Sequence, residues 1–524
     1  MASDISALET KEQKLSPFWW RFLEILPGTL TWVALLGAII LSFSQPVLVA
    51  IFVICFDLNW LFRSVRMTIN TIRTYRYIKR DGKINWHEKL IKITAAKNGN
   101  TVSSQISPEE LYHAIILVHY KEPFELLMSS IESYAQSKTH KQKLWLVVAS
   151  EERAGNEIYQ IFEAIKNRFS QDFGLIVQTV HPADVTGEIK CKSANATWAA
   201  KELKKILDSR QINYRQVIVH NFDADTKVYP NYFDYVAYQY LTSPQDQPTS
   251  FQPVHVYNNN IWDVPALMRL IAQSSTLIFM HNMLRPRRFH HFSSRSDVFQ
   301  TIIDINFWTV NAIPEDSRQY FDSYFHYHGQ LVVLPIYIPL RMDAVYAGRY
   351  WPTVKNQYYQ LRRWAWGISD LPYIVNQALK DRAISWWEKS RKILELIESH
   401  FSWATAAIFI TFIGWLPRVF NSDFTNSVFG YNFPFVIRTI LGLALIGLIT
   451  GIIISFLLLP PRPRHRRKRY YLNFLWQWIL APIASIFLSS FAAIDAQTRL
   501  MIGKRLDYQV TEKAVAKSRN SKAG

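Results

Sequence analysis

Two carboxylates close an apolar, β-branched run at Gln216-Val-Ile-Val-His-Asn-Phe-Asp-Ala-Asp-Thr226: Asp223 and Asp225. A strand puts alternate side chains on one face, so two acids at this spacing at a strand end can share one ligand. Oxygen donors of this kind suit a hard divalent cation, and Mg²⁺ carried on phosphates needs only one or two protein carboxylates. The chemistry implied is a metal-diphosphate site at the carboxyl end of a strand. Asp-x-Asp also occurs in solvated turns, so the reading depends on what else converges there.

A second acidic pair stands at Pro314-Glu315-Asp316-Ser317. Proline followed by acids is an ordinary helix start, because negative charge favours the N-terminal end of the macrodipole. The same pair can also supply a general base that takes a proton from an attacking hydroxyl. Asp316 is the candidate, with Glu315 its neighbour. A third group, Gln360, Arg363 and Trp364, falls at i, i+3 and i+4 of a stretch that reads as helix, hence on one face. Arg363 can grip a diphosphate as a two-pronged donor. Trp364 offers an apolar plate for a sugar ring, or an anchor at a membrane interface.

Strands expected over 113–119, 143–149, 174–178 and the Asp223 run alternate with helices over 124–136, 152–170 and 193–207. That alternation predicts an α/β domain with a mostly parallel sheet. In such sheets ligands bind outside the carboxyl ends of the strands, where Asp223 and Asp225 fall. The segment 251–307 gives no clear assignment.

Apolar segments flank this domain. Residues 25–56 carry no charge. As one helix they would reach roughly 48 Å at about 1.5 Å per residue, beyond a hydrocarbon core of about 30 Å. Pro46 divides them into spans near 26–43 and 46–64. Between Arg63 and Lys92 stand nine Lys/Arg against Asp81 and Glu88, which marks the cytoplasmic side. The expected organisation is a transmembrane hairpin (1–64), a basic cytoplasmic linker (65–111) and the α/β domain (112–380). An interfacial helix (381–400), a C-terminal membrane region (401–500) and a basic tail (501–524) follow. Three C-terminal spans would leave that tail outside, so a re-entrant or kinked hairpin at Ala481-Pro482 is expected to return it. Asp57 is expected near the headgroups or paired.

The net charge of +18 gathers beside apolar segments, as at a membrane surface. No zinc-like or RNA-binding signature accompanies it, which argues against nucleic acid as a partner. Cys55 and Cys191 are too far apart in the chain to form a disulfide framework, consistent with a reducing compartment. A transporter would concentrate ionisable groups within its spans, whereas here the acids lie in the soluble part.

The ordered set Asp223-x-Asp225, Glu315-Asp316, Gln360-x-x-Arg363-Trp364 resembles the membrane-integrated family 2 glycosyltransferases, the group of cellulose and hyaluronan synthases, over roughly 114–364. The resemblance implies a Rossmann-like GT-A domain between membrane helices at the plasma (inner) membrane, with a nucleotide-sugar donor, UDP-linked in that group. It implies that Asp223 contacts the donor and that Asp225, with Asp223, holds Mg²⁺ or Mn²⁺. Asp316 would be the base, and Gln360, Arg363 and Trp364 would close over diphosphate and acceptor. Looser matches place Tyr120 and Glu122 near base and ribose, and Lys192 at phosphate. The chain departs from the group at His119-Tyr120-Lys121-Glu122, in the Ser150-Glu151-Glu152 region, at Pro314 and at Leu361. The expected activity is inverting transfer to a growing polysaccharide, with single transfer to a lipid acceptor as the alternative. A non-catalytic export subunit is the reading from a different class, and export or accessory subunits are the protein partners implied.

Overall fold

In a computed structural model, the structure describes residues 14–97, 106–244, 246–464 and 466–507. Seven strands form one sheet in the order β3-β2-β1-β4-β6-β5-β7. They are β1 (Tyr112–Val118), β2 (Leu144–Glu151), β3 (Leu175–His181), β4 (Val217–Asp223), β5 (Thr249–Tyr257), β6 (Arg295–Val298) and β7 (Val332–Met342). Only β6 runs against its neighbours β4 and β5; the other pairs are parallel. The expected mostly parallel α/β domain between membrane helices is the one observed.

The strand pattern follows from burial on both faces. Along β1, Ile115 and Leu117 enter the core under helices Phe124–Ala135, Glu157–Phe169 and Tyr232–Leu241. Ala114, Ile116 and Val118 enter the opposite core under helix Lys192–Ser209. Leu146 and Val147 divide in the same way along β2. The register Val118↔Asp223 and Val118↔Ala149 brings the carboxyl ends of β1, β2 and β4 level. That edge carries the site.

The expected helix at 152–170 is instead a 3₁₀ turn, Glu152–Ala154, followed by Glu157–Phe169. The segment 251–307 contains β5, helix Ala266–Asn282, β6 and helix Phe299–Asp304. Gly174 opens β3 so close to the turn Lys141–Lys143 that an added Cβ would overlap the backbone carbonyl of Gln142. Gly174→Ala is expected to cost about 1–3 kcal/mol by overpacking. A lowered unfolding temperature would register it; an unchanged one would mean that the turn yields freely.

Among the described residues, five helical segments are long and apolar enough to cross a membrane: Pro17–Ser44, Pro46–Asp81, Trp386–Phe420, Val428–Leu457 and Tyr470–Met501. The first four alternate in direction. The first leaves the domain side, where the Lys14 N–H meets Asn376, and ends near Asn421, whose Nδ2 donates to Phe43 O. The second returns and continues into the domain, where Thr74 Oγ1 donates to Met280 O and Tyr235 OH to Asp81. Its part beyond residue 64 falls in the expected basic linker. The structure instead continues the helix to Asp81, and residues 98–105 of that linker lie outside the described residues. The third fuses the expected interfacial helix and span into one helix, Trp386–Phe412. The fourth packs on the second through small residues: an added Cβ on Gly447 would overlap Ser64 Oγ, and Ser64 Oγ donates to Ala444 O. Such contacts let membrane helices approach closely. Asp57 is neither paired nor near the surface. It is buried in the bundle, and neither oxygen has a hydrogen-bond partner among the described residues.

The fifth segment corrects the expected hairpin. Arg269 Nε donates to Gln477 near its start, and Arg362 Nη1 to Asp495 near its end, 2.8 and 2.9 Å. Both donors belong to the α/β domain, so the segment runs along the domain's base. Phe474, Trp478, Ala484, Leu488 and Ala492 pack with Trp262 and Leu361, while Trp476, Ile479, Phe487 and Phe491 are exposed. Around Pro482, which lacks an N–H, the helix adjusts through a 3₁₀ turn (Gln477–Leu480) and a π turn (Ala484–Ser490) without reversing. Met501 ends beside Arg21, on the domain's side. Residues 508–524 of the expected tail lie outside the described residues.

Candidate active site

Asp223 is the last residue of β4, and Lys192 is the first of helix Lys192–Ser209. Lys192 Nζ lies 2.6 Å from Asp223 Oδ1. Ser293 Oγ donates to Asp223 Oδ2 at 2.8 Å and receives Lys192 Nζ at 3.1 Å. Lys192, assigned to phosphate from sequence, thus stands as the counter-charge of Asp223. Ser294 Oγ accepts from the Asp223 N–H at 3.0 Å and meets Thr226 Oγ1 at 2.8 Å. Its φ of 51° lies in the left-handed region that non-glycine residues seldom occupy. Neither serine was singled out from sequence, where nothing but their small polar side chains marked them.

Asp225 is buried, and its Oδ2 accepts from the Asp343 N–H at 3.0 Å. Asp343 follows Met342, the end of β7, so a third strand end joins the site. Tyr257, the last residue of β5, has its hydroxyl pushed far up, by burial first and then by Asp223, Asp225 and Asp316. On the same strand His255 is pushed down to about 4 by burial, with Asp223 and Asp316 pulling upward and Lys192 downward.

Helix Glu315–His326 opens on the acidic pair, as the helix-start reading expects. Asp316 Oδ1 accepts from Arg295 Nη1 at 2.7 Å. Glu315 is raised to about 7 by burial and by Asp316, while Arg363 and Lys192 pull it down. Arg363, on helix Tyr350–Ala365, thereby belongs to the same electrostatic cluster. Gln360, on that helix, accepts from Gln357 Nε2 at 3.0 Å, and Trp364 packs against the apolar cluster of Leu361 and Trp478. Arg362, which the sequence reading left aside, ties the helix to Asp495.

A carboxyl held above its ordinary value keeps its proton in the folded chain at pH values where the unfolded chain has lost it. Between the ordinary 4.5 and about 7, Glu315 therefore makes stability fall as pH rises. Glu315→Gln, permanently neutral, is expected to flatten that decline in a series of melting curves across this window. A parallel decline in variant and parent would show that Glu315 does not titrate there.

At the carboxyl ends of β1 and β2, the Tyr120 N–H donates to Glu122 Oε2 at 2.6 Å. The Arg153 guanidinium stands 4.3 Å from the Tyr120 ring centroid and pairs with Glu151, the last residue of β2. Glu151 and Arg153 are additions to the residues expected here. A flat ring capped by a cation suits stacking on another planar group.

Among the described residues no cluster of three or more His, Cys, Asp or Glu side chains forms a cage for a metal. The donor chemistry of Asp223 and Asp225 fits a cation that brings phosphate oxygens with it, not one held by the protein alone.

No family model and no curated protein matches the sequence. Among solved structures, the chain is similar to the mannosyltransferase PcManGT from Pyrobaculum calidifontis in complex with GDP-Man and Mn²⁺, with a TM-score of 0.40 and 12% identity over 86% of this chain and 100% of that one. It is also similar to S. aureus TarS 1–349 in complex with UDP-GlcNAc, with a TM-score of 0.36 and 12% identity over 67% and 93%. At these scores the likeness carries no argument about activity, which rests on the chain's own residues.

Proposed function

We propose that the chain is a membrane-bound inverting glycosyltransferase with a GT-A-type domain, moving a sugar from a nucleotide-sugar donor to a growing polysaccharide. One observation carries the reading. Asp223 and Asp225 at the end of β4, Glu315 and Asp316 at the start of one helix, and Lys192 and Arg363 on two others come from four stretches of chain yet act on one another and on Tyr257 and His255. Acids and cations alternating there suit a diphosphate leaving group and an acceptor hydroxyl side by side. The order of the motifs, which resembles that of the family 2 enzymes, agrees.

In this reading Tyr120 and Arg153 flank the nucleobase, with Glu122 toward the ribose. Lys192 and Arg363 face the diphosphate, where charged donors stabilise the negative charge that builds as the bond to the anomeric carbon breaks. Asp225 and Asp223 would hold Mg²⁺ or Mn²⁺, which supplies Lewis-acid neutralisation of that same charge. Asp316 accepts the acceptor's hydroxyl proton as its oxygen bonds to the anomeric carbon from the opposite side. One displacement at that carbon inverts its configuration and needs no covalent intermediate. Trp364 offers a wall for the acceptor sugar. The basic segments on the domain's side of the bundle support a cytoplasmic domain at the plasma (inner) membrane.

A second reading keeps the chemistry and changes the acceptor to a lipid. Its support is the link from the site's helix to membrane level: Arg362 bonds Asp495 on a segment whose other face is exposed and apolar. The test is a screen of nucleotide sugars with Mn²⁺ and detergent-solubilised protein, followed by product sizing. A ladder of products supports polymer synthesis, and a single lipid-linked product supports the second reading. No nucleotide release from any donor would refute both.

A further inference from the structure

Beneath the edge of the site lies an ion pair that joins the shortest strand to the helix bearing Asp316. Arg295 opens β6 with its side chain 1% exposed. Its Nη1 donates to Asp316 Oδ1 at 2.7 Å and to Phe292 O at 3.2 Å, and its Nε lies 3.3 Å from Asp297 Oδ2. Asp297 is equally buried, and burial raises it against the pull of Arg295, Ser250 and Gln319. Asp316 itself is 27% exposed, so one side of its carboxylate is held by Arg295 while the rest stays accessible.

We propose that Arg295 is a positioning residue for the acceptor-activating carboxylate, and that Asp297 fixes Arg295 in place. The proposal rests on the reading of Asp316 as the base. The guanidinium is planar and offers donors in a fixed fork. With Nη1 on Asp316 Oδ1, it sets the plane of that carboxylate and leaves Oδ2 as the acceptor of the incoming proton. Asp297, which β6 pairing holds opposite Val219 and Ser250, faces Nε as a buried ion pair without a hydrogen bond, so charge attraction draws the guanidinium toward the sheet. A buried cation with two carboxylates also keeps the site charge-balanced: without Asp297, an arginine serving Asp316 alone would be less firmly aimed. The sequence spreads this device over 22 residues, so no local motif displays it.

Other charged groups face Asp316 as well: Glu315 on its own helix, His255 and Tyr257 on β5, and Lys192 and Arg363 through Glu315. Arg295 is the partner in direct contact. Arg295→Lys keeps a positive charge and loses the fork. A reacting group misplaced by about 1 Å costs up to about 10²-fold in rate. Transfer by this variant is therefore expected to show kcat lowered by about that factor and donor KM little changed. Combined with Asp316→Asn, Arg295→Lys should add almost nothing. Asp297→Asn, which leaves the contact with Asp316, should lower kcat by less, again with donor KM little changed, and it serves as the test if Arg295→Lys does not fold.

A folded Arg295→Lys with parental kcat overturns the proposal. So does a full, multiplicative loss in the Asp316→Asn background, the mark of a merely structural arginine. Parental activity in Asp316→Asn alone would instead remove the base on which the proposal rests, a pattern distinct from either.

Discussion

Asp316→Asn is expected to lower sugar transfer by about 10³-fold, within the range of about 10²–10⁴ contributed by a positioned general base. Asparagine keeps the shape of the side chain and can still accept from Arg295, but it cannot take up the acceptor's proton. Donor binding should survive, because Lys192, Asp223 and Asp225 sit on other strand and helix ends. The expected signature is therefore a collapse of kcat with a donor KM near the parental value. Arg295 would lose one of its two carboxylates, and removing a partner from a buried ion pair costs about 3–5 kcal/mol when nothing else compensates. Asp297 remains beside it, so the loss should be smaller, and a melting curve separates a folded, inactive variant from an unfolded one. A folded Asp316→Asn enzyme with parental kcat would end the assignment of the base.

The parts that sequence could reveal were those whose signal is local. The run into Asp223 reads as a strand because Val217, Ile218 and Val219 are apolar and β-branched, and burial on both faces demands that composition. The start of the Glu315 helix is equally local. β6 was invisible for the opposite reason: its first three residues, Arg295, Ser296 and Asp297, are polar. They can be buried only because Asp316 and Asp297 meet Arg295 in space. A pairing across 21 residues leaves no periodicity to read.

The segment Tyr470–Met501 misled in another way. Hydropathy counts apolar side chains without knowing what they will touch. Phe474 and Leu488 bury against the domain, while Ile479 and Phe487 on the other side are exposed, and all four score alike. Polar tethers such as Gln477 to Arg269 and Asp495 to Arg362 reveal that both ends lie against the domain. The same limit hid Ser293 and Ser294. Hydroxyls that orient a carboxylate have no preferred spacing, and a left-handed φ at a serine is set by its surroundings.

Asp225→Asn is the second large effect expected, a loss of about 10²–10³-fold in transfer, as when one stabiliser of developing charge is removed. The side chain is buried and its Oδ2 already accepts from the Asp343 N–H, so an amide oxygen can replace it there with little cost to folding. What the amide removes is one unit of negative charge between the ends of β4 and β7. If that charge exists to share a divalent cation with the donor's phosphates, the parent should bind UDP more tightly with Mn²⁺ than without, as read by calorimetry. Asp225→Asn should erase the difference while leaving the metal-free affinity near the parental value. The neighbouring Asp223 cannot take over fully, because Lys192 at 2.6 Å already balances its charge. The alternative is that Asp225 serves only to pin the chain after β7. In that case the variant melts earlier, and the ratio of UDP affinities with and without Mn²⁺ stays where the parent has it. The two outcomes differ in sign on separate instruments, so one preparation of folded Asp225→Asn decides between a cation site and a structural acid.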